Sequence, residues 1–559
     1  MLYSKIGNYV KSNNVRGTME EENKTVVAQP VVCDAVESSS EDVSMNASDS
    51  NGAQKTSDGK APTLKLDIKR TILVGFAFFG IMCFWEVYDY IMPLILNTRF
   101  GLNSWQYGLI MGLDNLLAIF LLPFFGSLSD KAVKKKMGRR THFLFWGTIC
   151  AAVALIIVAI FEYLEFQKIM QAGYDNINEL AKYNPELASI IAGMENADYN
   201  TIMAGDNTAA IQAIKQAQIE MSRQVAGDNV WLLIVFIVAL FILLISMSSY
   251  RSPAVSLMPD ITPKPLRSQA NALITFMGGA GGLVSIILYK IFANSATQNY
   301  FWLFLVTAIV LLLVLLVYML TVKERKFVAM REEEEKACNV VDEEEVEGTE
   351  KLSKGKVVSL VLILLTVFLW FMGYNAVKSH LSTYATQTLV FEQGFVGTIT
   401  LLNGLGGAIA LLPVALLANK LGRKKTIIIG VVIAAVAFFP CFFMTANTPG
   451  VKFLFPLCFI MAGFGMVCVN VNTLPMVVEL SKGSTVGKYT GYYYAFSMSA
   501  QAITPAFAGI FMNISSQSVV FIYASVFIVL AFVTTIFIKH GDNRPPKKKK
   551  FLEYFSDED

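Results

Sequence analysis

The stretch Gly126-Ser127-Leu128-Ser129-Asp130-Lys131, continuing through Lys134, Lys135 and Lys136 to Gly138-Arg139-Arg140, decides how the chain is read. Apolar runs too long for a soluble core lie on either side of it, from Trp105 to Leu128 and from Phe143 to Phe161. A membrane-crossing helix needs roughly 20 mostly apolar residues, so the stretch is a tight basic loop between two such helices. Clustered Lys and Arg resist translocation, which assigns the loop to the cytoplasmic side.

The rest of the chain has the same character. Of 559 residues, 54% are hydrophobic and 16% charged, whereas soluble domains carry about a quarter charged residues. Mean hydropathy is +0.51. This is the composition of a membrane protein. The net charge of +3 gives no nucleic-acid reading, because the basic residues sit in short loops rather than on one face. Cys83, Cys150, Cys441, Cys458 and Cys468 fall inside apolar runs, with no zinc spacing or disulfide framework. His142, His380 and His540 are too far apart in sequence to suggest a metal site. The expectation is no metal and no cofactor. Residues 1–70 are rich in Ser, Asn, Asp and Glu and lack an apolar stretch. They are expected to form a disordered cytoplasmic tail, leaving the first apolar run to direct insertion.

Twelve runs are long enough to span: 71–96, 105–129, 141–163, 229–257, 269–293, 300–322, 357–385, 394–418, 426–446, 452–480, 489–512 and 517–539. The organisation read from them is a cytoplasmic tail (1–70), a six-helix half (71–322) and an acidic cytoplasmic linker (323–356). A second six-helix half (357–539) and a charged cytoplasmic tail (540–559) follow. The basic loops Lys131–Arg140, Lys264 with Arg267, Lys420–Lys425 and Lys547–Lys550 share one side if both termini are cytoplasmic. The long connection 164–229 then lies outside. Within it, Thr208–Val225 reads as a surface helix with Ile211, Ile214, Ile219 and Met221 on its apolar side, a cap rather than a binding module. Gly278-Gly279-Ala280-Gly281-Gly282, Gly404 and Gly406-Gly407 read as sites of close helix approach. Gly483–Tyr489 has the wrong spacing for a phosphate loop, so no ATPase machinery is visible and uphill transport would need an ion gradient.

The pattern G-x-L-x-D-(basic)-G-R-R at Gly126, Asp130, Gly138, Arg139 and Arg140 resembles the loop between helices 2 and 3 of the major facilitator superfamily. There the acid and arginines form a conformational latch between packed helix ends in one transport state. The expectation here is that Asp130 pairs only in the outward-open state. Leu417-Ala418-Asn419-Lys420-Leu421-Gly422-Arg423-Lys424-Lys425 is a degraded second copy, with Asn419 in place of the acid. The resemblance implies two parallel six-helix halves around a central cavity, with the site where they meet. Tyr250-Arg251-Ser252-Pro253-Ala254-Val255-Ser256-Leu257-Met258-Pro259-Asp260, then Arg267-Ser268-Gln269-Ala270-Asn271-Ala272, resembles the helix 4 to helix 5 region of the glycoside–pentoside–hexuronide symporters and their sucrose-transporter relatives. That resemblance implies a cation-coupled sugar carrier working by alternating access. The departures are specific. Val255 stands where sucrose-type members have an arginine. Met82, Ala118 and Leu122 stand where melibiose-type members have cation-binding acids, and Arg251 aligns with their helix 4 acid.

Ionisable residues at bilayer depth are costly and mark function. Glu86 and Asp89, three apart on one face of the first span, and Asp114 on the second are the candidates for proton or cation coupling. Glu86 and Asp114 are each displaced one turn, roughly 5.4 Å, outward of the melibiose-type positions, which suggests a relocated site where two close carboxyls share a proton. Candidate substrate contacts are Trp85, Asn115, Arg251, Tyr374, Asn375 and Lys378. No nucleophile–base constellation is present, which points away from an enzyme. The expected partners are a sugar or glycoside, a coupling cation (H+) and the bilayer, without nucleic acid, for a monomer in the plasma membrane. A carrier of another small organic solute and a transporter-derived sensor are the rivals.

Overall fold

A computed structural model describes residues 31–32, 63–132, 137–194, 198–292, 300–338, 353–480 and 486–542. Most of the 1–70 tail, Lys134–Lys136 of the basic loop, 339–352 of the linker and 543–559 lie outside the described residues. The chain divides into a unit Met1–Leu66 and a unit Asp67–Asp559. In the first, β1 (Val31–Val32) pairs antiparallel with β2 (Thr63–Leu64).

The second unit is helical. Its elements are α1 (Ile68–Thr98), α2 (Ser104–Lys131), α3 (Thr141–Gln171), the short α4 (Ile177–Leu180), α5 (Pro185–Ala192) and α6 (Tyr199–Ala204), then α7 (Thr208–Asp228), α8 (Val230–Ile261), α9 (Arg267–Phe292), α10 (Phe301–Thr321) and α11 (Glu324–Ala337). α12 (Lys354–Gln387), α13 (Gln393–Leu421), α14 (Arg423–Phe438), α15 (Val451–Glu479), α16 (Val486–Ile514) and α17 (Val519–Phe537) complete it. Twelve of the described helices are long and apolar enough to cross a membrane, one for each run read from the sequence. The fold is an all-α integral membrane bundle of twelve spanning helices.

Local sequence explains the ends. Asp67 accepts the Arg70 amide to start α1, and Asn103 with Gln106 forms a capping box for α2. α3 runs two turns beyond the expected 163, because its last turns pack into the cap rather than ending at the membrane surface. The first half is built by α1 on α9, α3 on α8 and α10 on α3. The second is built by α13 and α14 on α15, and by α12 on α17 and α16. Close approach is real at some of the expected glycines. A Cβ on Gly281 would lie 2.1 Å from the Phe79 carbonyl, and one on Gly406 2.7 Å from that of Ile460, whereas Gly279 and Gly404 have nothing within 4 Å. Only part of each cluster is a packing device.

The connection 164–229 contains more structure than the single helix read from sequence. Ile169, Tyr174, Ile177, Leu180, Leu187, Ile202, Ile214 and Met221 form a separate apolar core, with Gln218 donating to the Tyr174 carbonyl and the Tyr199 hydroxyl. α7 then ties the two halves together. Arg223 donates to the Gly101 carbonyl and Asn103 in the first half. Gln212 and Lys215 donate to the Thr388 and Thr386 carbonyls at the end of α12, in the second half. We call this the cap end, and the opposite end, with Asp130–Arg140, the basic end.

Candidate functional site

The most extensive helix contacts between the halves are α2 with α16, α1 with α12 and α9 with α13, with smaller ones of α12 against α2 and α7. Among the described residues, the bonds between halves cluster towards the cap end. Tyr90 donates to the Gln393 carbonyl. The Ser104 amide donates to Asn513 at 3.1 Å, and Gln393 donates to the Tyr300 hydroxyl at 2.7 Å. His380, fully buried on α12, bridges α2 and α16. Its Nε2 lies 2.9 Å from the Pro505 carbonyl, which can only accept, so Nε2 carries the proton. Nδ1, 2.7 Å from the Tyr107 hydroxyl, is then the acceptor in a neutral ring. The cap end is closed by a specific lock. In the sequence His380 is one isolated residue in an apolar run, and nothing near it points to Tyr107.

The candidate residues meet just inside that lock. Lys378 Nζ lies 2.8 Å from Asp89 Oδ2, an ion pair crossing from α12 to α1. Glu86 lies within electrostatic reach of Lys378 and Asp89. Asp114 is within reach of Asp89, Lys378 and Arg251, and accepts from its neighbour Asn115 through the amide and side chain at 2.6 and 2.7 Å. Glu86 and Asp114 are not hydrogen-bonded to each other among the described residues. Both instead feel the Asp89–Lys378 pair. The Arg251 guanidinium stands 6.0 Å from the centre of the Trp85 ring.

Two more of the expected substrate contacts, beyond Lys378 and Asn115, are engaged within the protein in this form. Pro505 lacks an amide hydrogen, which frees the Gln501 carbonyl one turn earlier, and Asn375 Nδ2 donates to it at 3.2 Å. The Tyr374 hydroxyl donates to Asn403 at 2.9 Å, whose own amide donates to the Phe459 carbonyl.

At the basic end Asp130 pairs with Arg140 at 2.8 Å. This pairing is present in the form whose cap end is closed. Arg140 also donates to Asp260 and, at 3.0 Å, to Ser129; Arg139 reaches Asp260 at 3.0 Å. Gly126 approaches the Ser252 hydroxyl on α8. Glu324, which sequence reading did not single out, accepts the amides of Arg139, Arg140 and Thr141 at 3.0, 3.2 and 2.8 Å. It thereby caps α3 from the start of α11. Gly138 adopts φ +102°, and a Cβ there would meet the Glu324 carboxylate. The linker is anchored again where Glu334 pairs with Arg70 at 2.9 Å.

Burial ranks these acids. The Asp130 side chain is 56% exposed and that of Asp260 20%, around an Arg140 that is 6% exposed. An exposed pair is worth about 1 kcal/mol or less, whereas weakening the compensation of a buried guanidinium costs more, up to about 3 kcal/mol where no partner remains. Asp260→Asn is therefore expected to lower the melting temperature and transport well below the values for Asp130→Asn, which should stay folded and weaken transport. Equal melting temperatures for the two variants in detergent would refute that ranking.

Comparison with known proteins follows the architecture. A family model described as Major Facilitator Superfamily matches residues 224–396 and 387–556, a range that leaves the 126–140 loop outside. No curated protein sequence matches the chain. The inward open conformation of the xylose transporter XylE from E. coli is similar at 16% identity, over 87% of this chain and 98% of that one, with a TM-score of 0.51. A bacterial homologue of the iron transporter ferroportin in an inward-facing state has 13% identity over 84% and 98%, TM-score 0.52. A mutant of the peptide transporter POT in complex with alafosfalin has 12% identity over 87% and 95%, TM-score 0.55. At such identities the likeness is one of fold, and the three differ in cargo.

Proposed function

Because this chain belongs to the Major Facilitator Superfamily, we propose that it is a secondary active transporter that moves a sugar or glycoside across the plasma membrane by alternating access, coupled to a proton. The observation that carries this reading is the Asp89–Lys378 pair. It joins the two halves at membrane depth, amid two further acids and the Arg251 guanidinium over the Trp85 ring, where unneeded charge would be costly. The helix 4 to helix 5 resemblance supports a glycoside-type cargo, and the half-buried Trp85 ring, braced edge-on by the buried Tyr88 with ring centres 5.4 Å apart, suits a sugar ring. Glu86 and Asp114 bind the coupling proton, with Asp89 relaying it. The latch residues at the basic end hold one face of the cycle, and substrate shifts the equilibrium by binding one form better than the other.

Uptake into proteoliposomes tests the coupling. Glu86→Gln and Asp114→Asn are each expected to lose accumulation driven by a pH gradient while keeping substrate counterflow, which needs no net proton movement. Full gradient-driven accumulation by both variants would make these acids structural.

The orientation that goes with this reading has the basic end and both termini in the cytoplasm, with the cap outside, so the cap-closed form faces inward. Ser189, exposed on α5, offers a reporter position. A single cysteine placed there is expected to react with an impermeant maleimide on intact cells. Reaction only after permeabilisation would invert the topology.

A further inference from the structure

We propose that the cargo carries one carboxylate, and that Arg251 binds it while Asp114 takes the accompanying proton, so that each turnover moves one small organic acid without net charge. This rests on the proton-coupled carrier reading above and narrows its substrate from sugars in general to acids such as sugar acids.

Five ionisable side chains share the region: Glu86, Asp89 and Asp114 against Arg251 and Lys378. Asp89 and Lys378 satisfy each other at 2.8 Å, and Glu86 has these two as its electrostatic neighbours. That leaves Asp114 and Arg251. The charged or titratable groups in reach of Arg251 are Asp114 on α2, Asp89 on α1 and Tyr494 on α16. Those around Asp114 are Asp89 and Tyr88 on α1, Lys378 on α12 and Arg251 on α8. Arg251 makes no ion pair or hydrogen bond among the described residues; its described contact is the Trp85 ring face. A guanidinium has five donors in a planar fork matched to a carboxylate, and bidentate pairing of that kind is strong where water is scarce. With no ion-pair partner among the described residues, the Arg251 fork at membrane depth is suited to a carboxylate.

The proton follows from the same accounting. When Asp114 is ionised, it offsets Arg251 through space. When Asp114 is protonated, Arg251 is left uncompensated and a carboxylate restores the balance. Proton and anion therefore stabilise each other's binding, which is what obligatory cotransport requires. The step is balanced: one proton binds the Asp114 carboxylate, one substrate carboxylate binds Arg251, and both leave on the other side.

Two further features fit this cargo. Among the described residues, the Trp85 indole nitrogen and the Tyr88 hydroxyl are buried without hydrogen-bond partners, and such donors ordinarily find one. Ring hydroxyls or the carboxylate itself would supply acceptors after a small side-chain shift. The resemblance to melibiose-type carriers also breaks at the relevant place. The cation-binding acids of that pattern are absent at Met82, Ala118 and Leu122, and its helix 4 acid is replaced by Arg251. A reversed charge at that position favours an anionic cargo over a neutral one held beside a metal cation.

The test uses purified full-length protein in proteoliposomes and matched solutes: glucuronate with glucose, galacturonate with galactose, lactate with lactamide, benzoate with benzamide. The expected result is accumulation of an acid but not its neutral partner. A pH gradient should drive it, and a potassium diffusion potential should leave it unchanged. Arg251→Gln should reduce uptake of that acid at least about thirtyfold, and Arg251→Lys should keep part of it. Transport of neutral sugars as well as their acids, or movement of no acid in the panel, overturns the proposal, as does potential-driven uptake. Transport of lactate or benzoate without sugar acids would uphold the carboxylate site and remove the sugar reading. Discrimination by the unmutated chain keeps the test valid even if the Arg251 variants fold poorly.

Discussion

Lys378→Met is expected to lower initial uptake at least about tenfold while leaving folded protein in the membrane, and the exchange Asp89→Lys with Lys378→Asp to recover part of it. The two side chains are 29% and 48% exposed within the protein, so the pair itself must be discounted as partly screened. Its importance lies in what the lysine faces. Asp89, Glu86 and Asp114 all fall within its field, and without it three carboxyls share one remaining cation, Arg251. Attraction between α1 and α12 then turns into a cost of neutralising or hydrating those acids whenever the cap end closes. A shift of about 1.4 kcal/mol in that closure suffices for a tenfold change in population. Uptake at the wild-type rate by the single variant, across a full substrate range, would show that the pair plays no part in the cycle. Partial recovery in the exchanged variant separates a charge effect from a loss of packing, since it restores one cation facing one anion while altering the shape at both positions.

What could be read without coordinates was whatever depends on local runs. Twelve spans followed from length and hydropathy, and each has its helix, because a bilayer forces every buried amide into a helix or a closed barrel. The carboxyls and cations of the candidate site were legible for the same reason: charge inside an apolar run stands out. What escaped were partnerships between distant parts of the chain. Nothing near Glu324 announces that it caps α3, 183 to 185 residues back. His380 reads as one more residue in a span until Tyr107, 273 residues away, is seen beside it. Asn375 reads equally well as a sugar contact or as a partner for a carbonyl; only the packing of α12 on α16 shows that Pro505 has freed one for it. The cap was half legible. The period of α7 was visible, whereas the core beneath it is assembled from short segments whose apolar residues have no period of their own.

The closure of the cap end offers the largest single effect. α2 and α16 approach backbone to backbone there. A Cβ on Gly112 would lie 2.1 Å from the Ala502 carbonyl oxygen, one on Gly108 2.3 Å from that of Pro505, and one on Gly509 2.4 Å from that of Ser104. These are rigid helical carbonyls and cannot turn aside as a flexible side chain would. Gly112→Val therefore forbids the closed form without touching the packing inside either half, and its β-branch leaves few rotamers by which to escape. The expected outcome is a folded protein fixed open at the cap end, with transport and counterflow both abolished and substrate still bound from that side. Opening also separates Tyr107 from His380, so a thiol reagent should reach a cysteine at Thr383, buried in the closed form, faster in a Gly112→Val background. Two results would sink this account: counterflow at the wild-type rate, or unchanged reactivity at position 383. Either would mean that the halves can part and rejoin by a path that does not bring α2 against α16.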